Sequence, residues 1–275
     1  MWQPIPWQQR QNMLVYGTSF LYGGWESAGI DVAMGMMEGS NLRIAGVHWY
    51  DNPTELAASI AGSASPLALD FPFALPGDVY PAFSLGDWEA LLVFVHAHAK
   101  PAVEEYLRMV GLHGTRERCW RPGGGCRHTD ALSGAFSPLM RHGPDRLGTT
   151  YEGLKMLGVL RREGVSVYPF DEPGRDSVRV YEVSPWNTRV QLGLGKRAWP
   201  RDFVEAFNGH GRRAVEVSPL EDLPTQYDLD AVVSCATLAN AIRAYDLEDR
   251  WHEMPPWATA QEWQARQKEG LIVRL

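Results

Sequence analysis

The chain is poor in cysteine and has no long apolar run. Only Cys119, Cys126 and Cys235 occur among its 275 residues. Three cysteines are too few for a disulfide scaffold, and such a low number is typical of proteins in a reducing compartment. No apolar run approaches the roughly 20 residues that cross a bilayer, and residues 1–13 lack the apolar core of a secretory signal. We therefore expect no membrane association and a cytoplasmic location.

The chain also lacks an excess of positive charge, because its formal net charge is −7 and its pI is about 5.6. Proteins that bind nucleic acid regardless of its sequence usually present a basic face. The net charge therefore gives no support for a nucleic-acid partner, and any such site must be local. The remaining composition, with 45% hydrophobic and 21% charged residues, is that of an ordinary globular protein. It predicts no particular oligomeric state.

The most informative stretch is residues 67–76, a short apolar run that reaches an acid and is then interrupted by proline. The run Leu67–Leu69 predicts a buried strand, and Pro72 ends the pairing because proline donates no hydrogen bond to a neighbouring strand. Asp70 would then stand at the mouth of an α/β sheet, where such sheets usually bind ligands. An equally good alternative is that Asp70 only caps the following turn.

Three strands with short connections precede this stretch. β-Branched and aromatic residues predict strands over residues 14–20, 30–38 and 42–50, with a hairpin turn between the second and third. Asn52 is a good helix N-cap, and Gly62 a natural helix end. We therefore expect an antiparallel meander, then a crossover helix, then a central strand parallel to its neighbour.

The rest of the chain alternates between helices and short strands. The predicted helices cover residues 87–99, 101–110, 149–163, 201–208, 228–245 and 259–267. The predicted strands cover residues 165–170, 178–183 and 271–273. Asp228 and Asp230 begin the long helix, where the helix dipole favours negative charge, and this alone can explain one or both of them.

A long glycine-rich connection covers residues 111–147, and connections of this length are usually functional or mobile. Cys119, Cys126 and His128 suggest a zinc site, but the cysteines are too far apart for a usual ligand pair and no second pair exists. The glycines form no phosphate loop, because no lysine–serine or lysine–threonine pair follows them. A further hypothesis makes Cys126 a nucleophile with His128 as its base.

Five motifs occur in an order that resembles the DUF429 family, predicted nucleases with an RNase H-like fold. The motifs are Leu69-Asp-Phe-Pro-Phe-Ala-Leu-Pro76, Arg127-His-Thr-Asp130, Tyr181-Glu-Val-Ser-Pro185, Asp228-Leu-Asp-Ala231 and Glu269-Gly-Leu-Ile272. The resemblance extends from about residue 13 to the end. It implies an α/β fold in which helices flank a mixed five-stranded sheet. We accordingly expect a flexible arm over residues 1–12 and one RNase H-like domain over 13–275, with a helical insertion at about 84–164.

The resemblance also implies a metal-dependent nuclease or phosphodiesterase. Carboxylates of RNase H-like nucleases hold two Mg²⁺ or Mn²⁺ ions, which activate water and stabilise the leaving oxygen; such hard cations require oxygen ligands. By motif matching, Asp70, Glu182 and Asp230 are the expected catalytic residues, and Asp70 and Asp230 the expected metal ligands. Arg127 and Asp130 are the expected substrate-binding residues.

The chain departs from the family pattern on its first strand. RNase H-like nucleases normally carry an aspartate there, whereas this chain has Thr18 or Ser19 at the corresponding position. A neutral hydroxyl cannot supply the charge that holds two dications, and nothing in the sequence orients Asp31 of the next strand inward. An impaired nuclease is therefore one prediction. The other is a non-catalytic RNase H-like protein that binds a protein or nucleic-acid partner.

Overall fold

The computed structural model describes residues 12–20, 29–60, 65–109, 119, 122–123, 125–133, 135, 137–140, 146–174, 177–195, 198–220 and 226–275. In these ranges the chain forms an α/β structure, in which a seven-stranded mixed sheet is flanked by helices. The prediction of five strands is wrong, because two short edge strands extend the sheet. None of the helices in these ranges is both long enough and apolar enough to cross a bilayer.

The strands form one sheet in the order β5-β6-β4-β1-β2-β3-β7. They are β1 (Asn12–Phe20), β2 (Ile30–Glu38), β3 (Asn41–Tyr50), β4 (Leu67–Leu69), β5 (Ser166–Val167), β6 (Arg179–Glu182) and β7 (Glu216–Val217). Strands β1, β2 and β3 form the predicted antiparallel meander, and β4 lies parallel to β1 and to β6. The edge strands β5 and β7 add parallel pairs to β6 and β3.

Helices connect these strands and cover the sheet. They are α1 (Pro53–Ile60), α2 (Val79–Ala82), α3 (Trp88–Ala97), α4 (Lys100–Met109), α5 (His128–Ser133), α6 (Arg146–Arg162), α7 (Pro185–Gln191), α8 (Pro200–Gly209), α9 (Gln226–Tyr245) and α10 (Ala260–Glu269). The sequence predictions missed α2, α5 and α7, which are short. Ser184 nevertheless caps α7 by accepting a hydrogen bond from the Asn187 N–H, and Pro185 is at its first position, a recognisable start signal.

Two apolar clusters hold the sheet between its helices. The first core lies on the face covered by α1, α3 and α6, and includes Leu67, Leu69 and Phe71. The second core lies on the face covered by α8 and α9, and includes Val15 and Ala68. Because neighbouring residues of a strand point to opposite faces, these memberships show which face each strand residue occupies.

Several predicted boundaries are corrected. The strand expected at 165–170 is paired only over Ser166–Val167, and that expected at 271–273 is reduced to one bridge between Val273 and Val183. The connection at 111–147 is not structureless, since it contains α5 and α6 starts at Arg146. The predicted arm at 1–12 lies outside the described residues except for Asn12, which begins β1, and so does the predicted end of α1 at Gly62.

Candidate functional site

The candidate site lies at the C-terminal ends of the parallel strands β1, β4 and β6, called the sheet edge below. Asp70 directly follows β4 and is 5% exposed, and its backbone N–H donates a hydrogen bond to Thr18 Oγ1 at 3.2 Å. In β4, Leu67 and Leu69 pack in the first core and Ala68 packs in the second. Continuing this alternation places Asp70 on the α9 side of the sheet, at the position predicted for a ligand-binding carboxylate.

Thr18, one of the two residues at the position of the missing acid, has a structural role. Its hydroxyl accepts the hydrogen bond from Asp70, and its carbonyl accepts one from the Ser234 hydroxyl at 2.9 Å. Its neighbours Tyr16 and Phe20 pack in the first core, so Thr18 also points away from α9. Thr18 therefore ties β1 to β4 and to α9, and the residue that faces α9 at this level is Ser19.

Ser19 and Asp31 stand directly opposite each other on the antiparallel strands β1 and β2. Both side chains face α9, whose Asp228 lies in the first helical turn. The Ser19 side chain is 1% exposed, and its hydroxyl has no hydrogen-bond partner in the described part of the chain. Ser19, Asp31 and Asp228 are called the carboxylate niche below.

The direction of α9 explains why Asp228 reaches this niche. The Ala231 carbonyl lies over Gly17, and the Cys235 thiol donates to the Val15 carbonyl at 3.3 Å, so α9 runs antiparallel to β1. Its N-terminus therefore extends past Gly17 toward the end of β1. The sequence identified Asp228 only as a helix-terminal acid, and no sequence signal indicated that it faces Asp31.

Electrostatics distinguish Asp31 from an ordinary buried aspartate. The pKa of Asp31 is raised to about 6, chiefly by burial and in smaller part by the negative charge of Asp228. A carboxylate whose ionisation is disfavoured by burial and by a neighbouring negative charge is stabilised by a proton or by a cation. The Ser19 hydroxyl, which has no hydrogen-bond partner in the described part of the chain, lies on the same face of the sheet as Asp31.

Glu182 faces the opposite side of the sheet, in a buried ion-pair cluster. Arg127 Nη2 contacts Glu182 Oε1 at 2.6 Å and Asp130 Oδ1 at 2.7 Å, and Arg127 Nη1 donates to the Glu269 carbonyl at 3.0 Å. Burial raises the pKa of Glu182, and the Arg127 guanidinium offsets part of that shift. Arg127, Asp130 and Glu182 are called the arginine cluster below. Its members are at most 2% exposed, so it stabilises the fold and presents no surface to a substrate.

Asp230, the other expected metal ligand, is held by an arginine. Its side chain forms an ion pair with Arg189 of α7, and the two side chains are 17% and 3% exposed. Helix α7 also contacts α9 through Thr188 and Thr237, whose hydroxyls lie 2.8 Å apart. The structure therefore does not bring Asp70, Glu182 and Asp230 into one group, because Glu182 faces the other core and Asp230 already faces a cation.

Cys119 and Cys126 form a disulfide, with their Cα atoms 5.7 Å apart. Neither sulfur is then available as a zinc ligand, and Cys126 carries no thiolate to act as a nucleophile. Cys235 is a buried free thiol of α9 that faces β1. The scarcity of cysteine excluded a disulfide scaffold but did not exclude a single local disulfide, which makes the inference of a reducing compartment from the cysteine count unsound.

Within the described ranges, no three His, Cys, Asp or Glu side chains are grouped closely enough to hold a metal ion. The carboxylate niche offers two carboxylates and one hydroxyl instead.

No family model, curated protein or solved structure matches this chain. The chemistry of the sheet edge is therefore the basis for a functional conclusion.

Proposed function

We propose that this protein is an RNase H-like phosphodiester hydrolase that uses a divalent cation bound at the carboxylate niche. In this proposal Asp31 on β2 supplies the acid that β1 lacks, and Asp228 is its partner. The unpartnered Ser19 hydroxyl on β1, directly opposite Asp31 of β2, is the observation that carries the proposal. A buried, unpartnered hydroxyl beside two carboxylates indicates a polar ligand at that position.

The fold supports the RNase H-like part of the proposal. An antiparallel meander of β1, β2 and β3 is followed by a helical crossover to β4, and β6 extends the sheet in parallel. This agrees with the mixed sheet and flanking helices that the family resemblance implies. The proposed cation ligands also lie on different elements, as the family resemblance implies, although Asp31 and Asp228 take the place of Asp70 and Asp230, the metal ligands expected from the sequence.

The donor set fits one Mg²⁺ or Mn²⁺ ion. Mg²⁺ is commonly held by one or two carboxylates together with water and substrate phosphate, and does not need a complete protein cage. Asp31 and Asp228 supply two carboxylates, and the absence of a third close acid in the described residues argues against two ions. When bound, such an ion supplies an activated water and stabilises charge on the leaving oxygen.

The residues of this chain have distinct roles in the proposed reaction. Asp31 and Asp228 would hold the cation with their negative charge, and the bound cation would offset their repulsion of an anionic phosphodiester. The Ser19 hydroxyl donates a hydrogen bond to a water or phosphate oxygen in the niche, which satisfies its own buried group. Asp70 follows β4, next to Thr18 of β1, and lies beside the carboxylate niche. A substrate bound at the niche would also meet the Asp70 carboxylate.

The test is hydrolysis of bis(p-nitrophenyl) phosphate and of single-stranded DNA and RNA in the presence of Mn²⁺ or Mg²⁺. We expect Asp31→Asn to lower the rate by about a hundredfold. The reason is that a neutral amide stabilises the positive charge of the bound cation much less than a carboxylate does. Asp70→Asn is also expected to lower the rate. Activity should require the metal and disappear with a chelator.

The matched control is Asp87→Asn, which removes the same charge at the N-cap of α3, where Asp87 accepts a hydrogen bond from the Ala90 N–H. Asparagine caps helices as well as aspartate does, so this variant should hydrolyse at the wild-type rate. Wild-type protein that cleaves none of these substrates with either metal would contradict the proposal, as would an Asp31→Asn variant with full activity.

A specific observation favours a second candidate, a non-catalytic RNase H-like protein that binds a nucleic-acid or protein partner. Two of the acids expected from the family resemblance are neutralised by arginines: Glu182 by Arg127 and Asp230 by Arg189. In both pairs the arginine offsets the charge of the carboxylate, so neither acid needs a metal ion for that purpose. Metal-dependent binding of an oligonucleotide without turnover would favour this candidate over the hydrolase.

A further inference from the structure

We infer that Trp49 is a stacking platform for a nucleobase, and that the ligand of this sheet edge is a single-stranded nucleic acid. Trp49 lies on β3 directly opposite Asp31 of β2, which in turn lies directly opposite Ser19 of β1. Opposed residues of antiparallel strands share a face and have Cβ atoms about 4.5–5.5 Å apart. The indole is therefore the next side chain to the carboxylate niche along the sheet.

Trp49 is both exposed and held in place, which is unusual for the largest side chain. It is 53% exposed, and its Nε1 donates a hydrogen bond to Asp51 Oδ1 at 2.8 Å. The ring lies against the backbone of Gly29, where a Cβ atom would be 1.7 Å from Trp49 Cζ2. Only glycine leaves room for this contact, so the chain positions the indole and leaves much of it open to solvent.

A fixed, exposed indole recognises flat ring systems. Stacking of a base on an aromatic side chain contributes about 1–3 kcal/mol and tolerates any base, because every base has a π-face. The bases of a duplex already stack on one another, so the open ring favours a single strand. A base on Trp49 would bring its own phosphate toward Asp31, one strand away.

Charge repulsion sets the second condition for binding. The chain carries a net charge of −7, and Asp31 and Asp228 face the proposed phosphate position. A phosphate approaches these carboxylates only when a divalent cation lies between them. The inference depends on the proposed function for this phosphate contact alone, whereas the stacking contact can be measured without any turnover.

The test measures binding of fluorescently labelled oligothymidylate, oligouridylate and an abasic oligonucleotide by anisotropy, in the presence of Ca²⁺ or Mn²⁺. The abasic strand retains the phosphates and lacks the bases. The variants are Trp49→Ala, Trp49→Phe and, as the matched control, Trp199→Ala. Trp199 is 73% exposed at the start of α8 and lies outside the row formed by Trp49, Asp31 and Ser19.

We expect Trp49→Ala to weaken binding of both base-bearing strands by about tenfold, and Trp49→Phe to weaken it by less than about threefold. Trp199→Ala should bind as the wild type does. The abasic strand should bind weakly and equally to wild type and Trp49→Ala, an outcome that a purely structural role of Trp49 would not produce. A preference between the DNA and RNA strands would identify which of the two the site takes.

Three results would overturn the inference: equal binding of oligothymidylate by wild type and Trp49→Ala, equal losses for the abasic and base-bearing strands, or no binding of any strand by the wild type. Failure of the proposed function is distinguishable from these. Trp49-dependent binding without hydrolysis would reject the hydrolase and retain the stacking site.

Discussion

Replacement of Arg127 by methionine is expected to lower the free energy of unfolding by about 3–5 kcal/mol, the usual cost of removing one partner from a buried ion pair. The guanidinium donates to Glu182, to Asp130 and to the Glu269 carbonyl. Methionine fills a similar volume but leaves two carboxylates buried without a countercharge. The measurement is urea unfolding followed by far-UV circular dichroism.

The same substitution at Arg108 provides the control. Arg108 pairs with Glu105 on the surface of α4, where the two side chains are 59% and 51% exposed. Exposed pairs of this kind contribute little to stability, so Arg108→Met should leave the urea midpoint unchanged. A variant with both Arg127→Met and Glu182→Gln should recover part of the loss, because one buried charge is removed. Equal midpoints for Arg127→Met and wild type would contradict the structural role assigned to the arginine cluster.

Gly17→Ala is expected to destabilise the protein by about 3 kcal/mol, the upper part of the range for forcing extra atoms into a packed core. A Cβ atom at Gly17 would be 2.1 Å from the Cys235 nitrogen and 2.5 Å from the Ala231 carbonyl oxygen. Both contacts are to helix backbone, so no side chain can move aside. The helix α9 itself would have to shift away from β1, which also displaces Asp228 from the carboxylate niche.

Gly46→Ala is the matched control, because Gly46 also lies in a strand of the meander. The nearest atom to its added Cβ would be His48 Nε2 at 3.9 Å, an ordinary contact. Thermal unfolding should show a large decrease of the melting temperature for Gly17→Ala and little change for Gly46→Ala. Equal melting temperatures for the two variants would show that α9 does not pack on β1 as closely as described.

The meander and the central strand could be predicted from the sequence because their signals are local. The β2 boundaries were confirmed, as was the strand Leu67–Leu69 followed by Asp70. Short parallel edge strands give no such signal, since β5 and β7 have only two residues each. Their existence depends on neighbouring strands that are distant in sequence.

The candidate site was less predictable because it depends on register and on distant partners. Whether Asp31 faces α9 or the first core depends on its pairing with Ser19, and a shift by one residue would reverse it. The ion pairs of Glu182 with Arg127 and of Asp230 with Arg189 join residues 55 and 41 positions apart. A motif can identify such acids, but it cannot show that each one already has a cationic partner.

Crystals of the wild type grown with Mn²⁺ provide the most direct test of the carboxylate niche. We expect an anomalous density peak between Asp31 and Asp228, within reach of the Ser19 hydroxyl, and we expect this peak to be lost in Asp31→Asn. An empty niche at saturating Mn²⁺, or a peak at Asp230 with Arg189 displaced, would contradict this expectation.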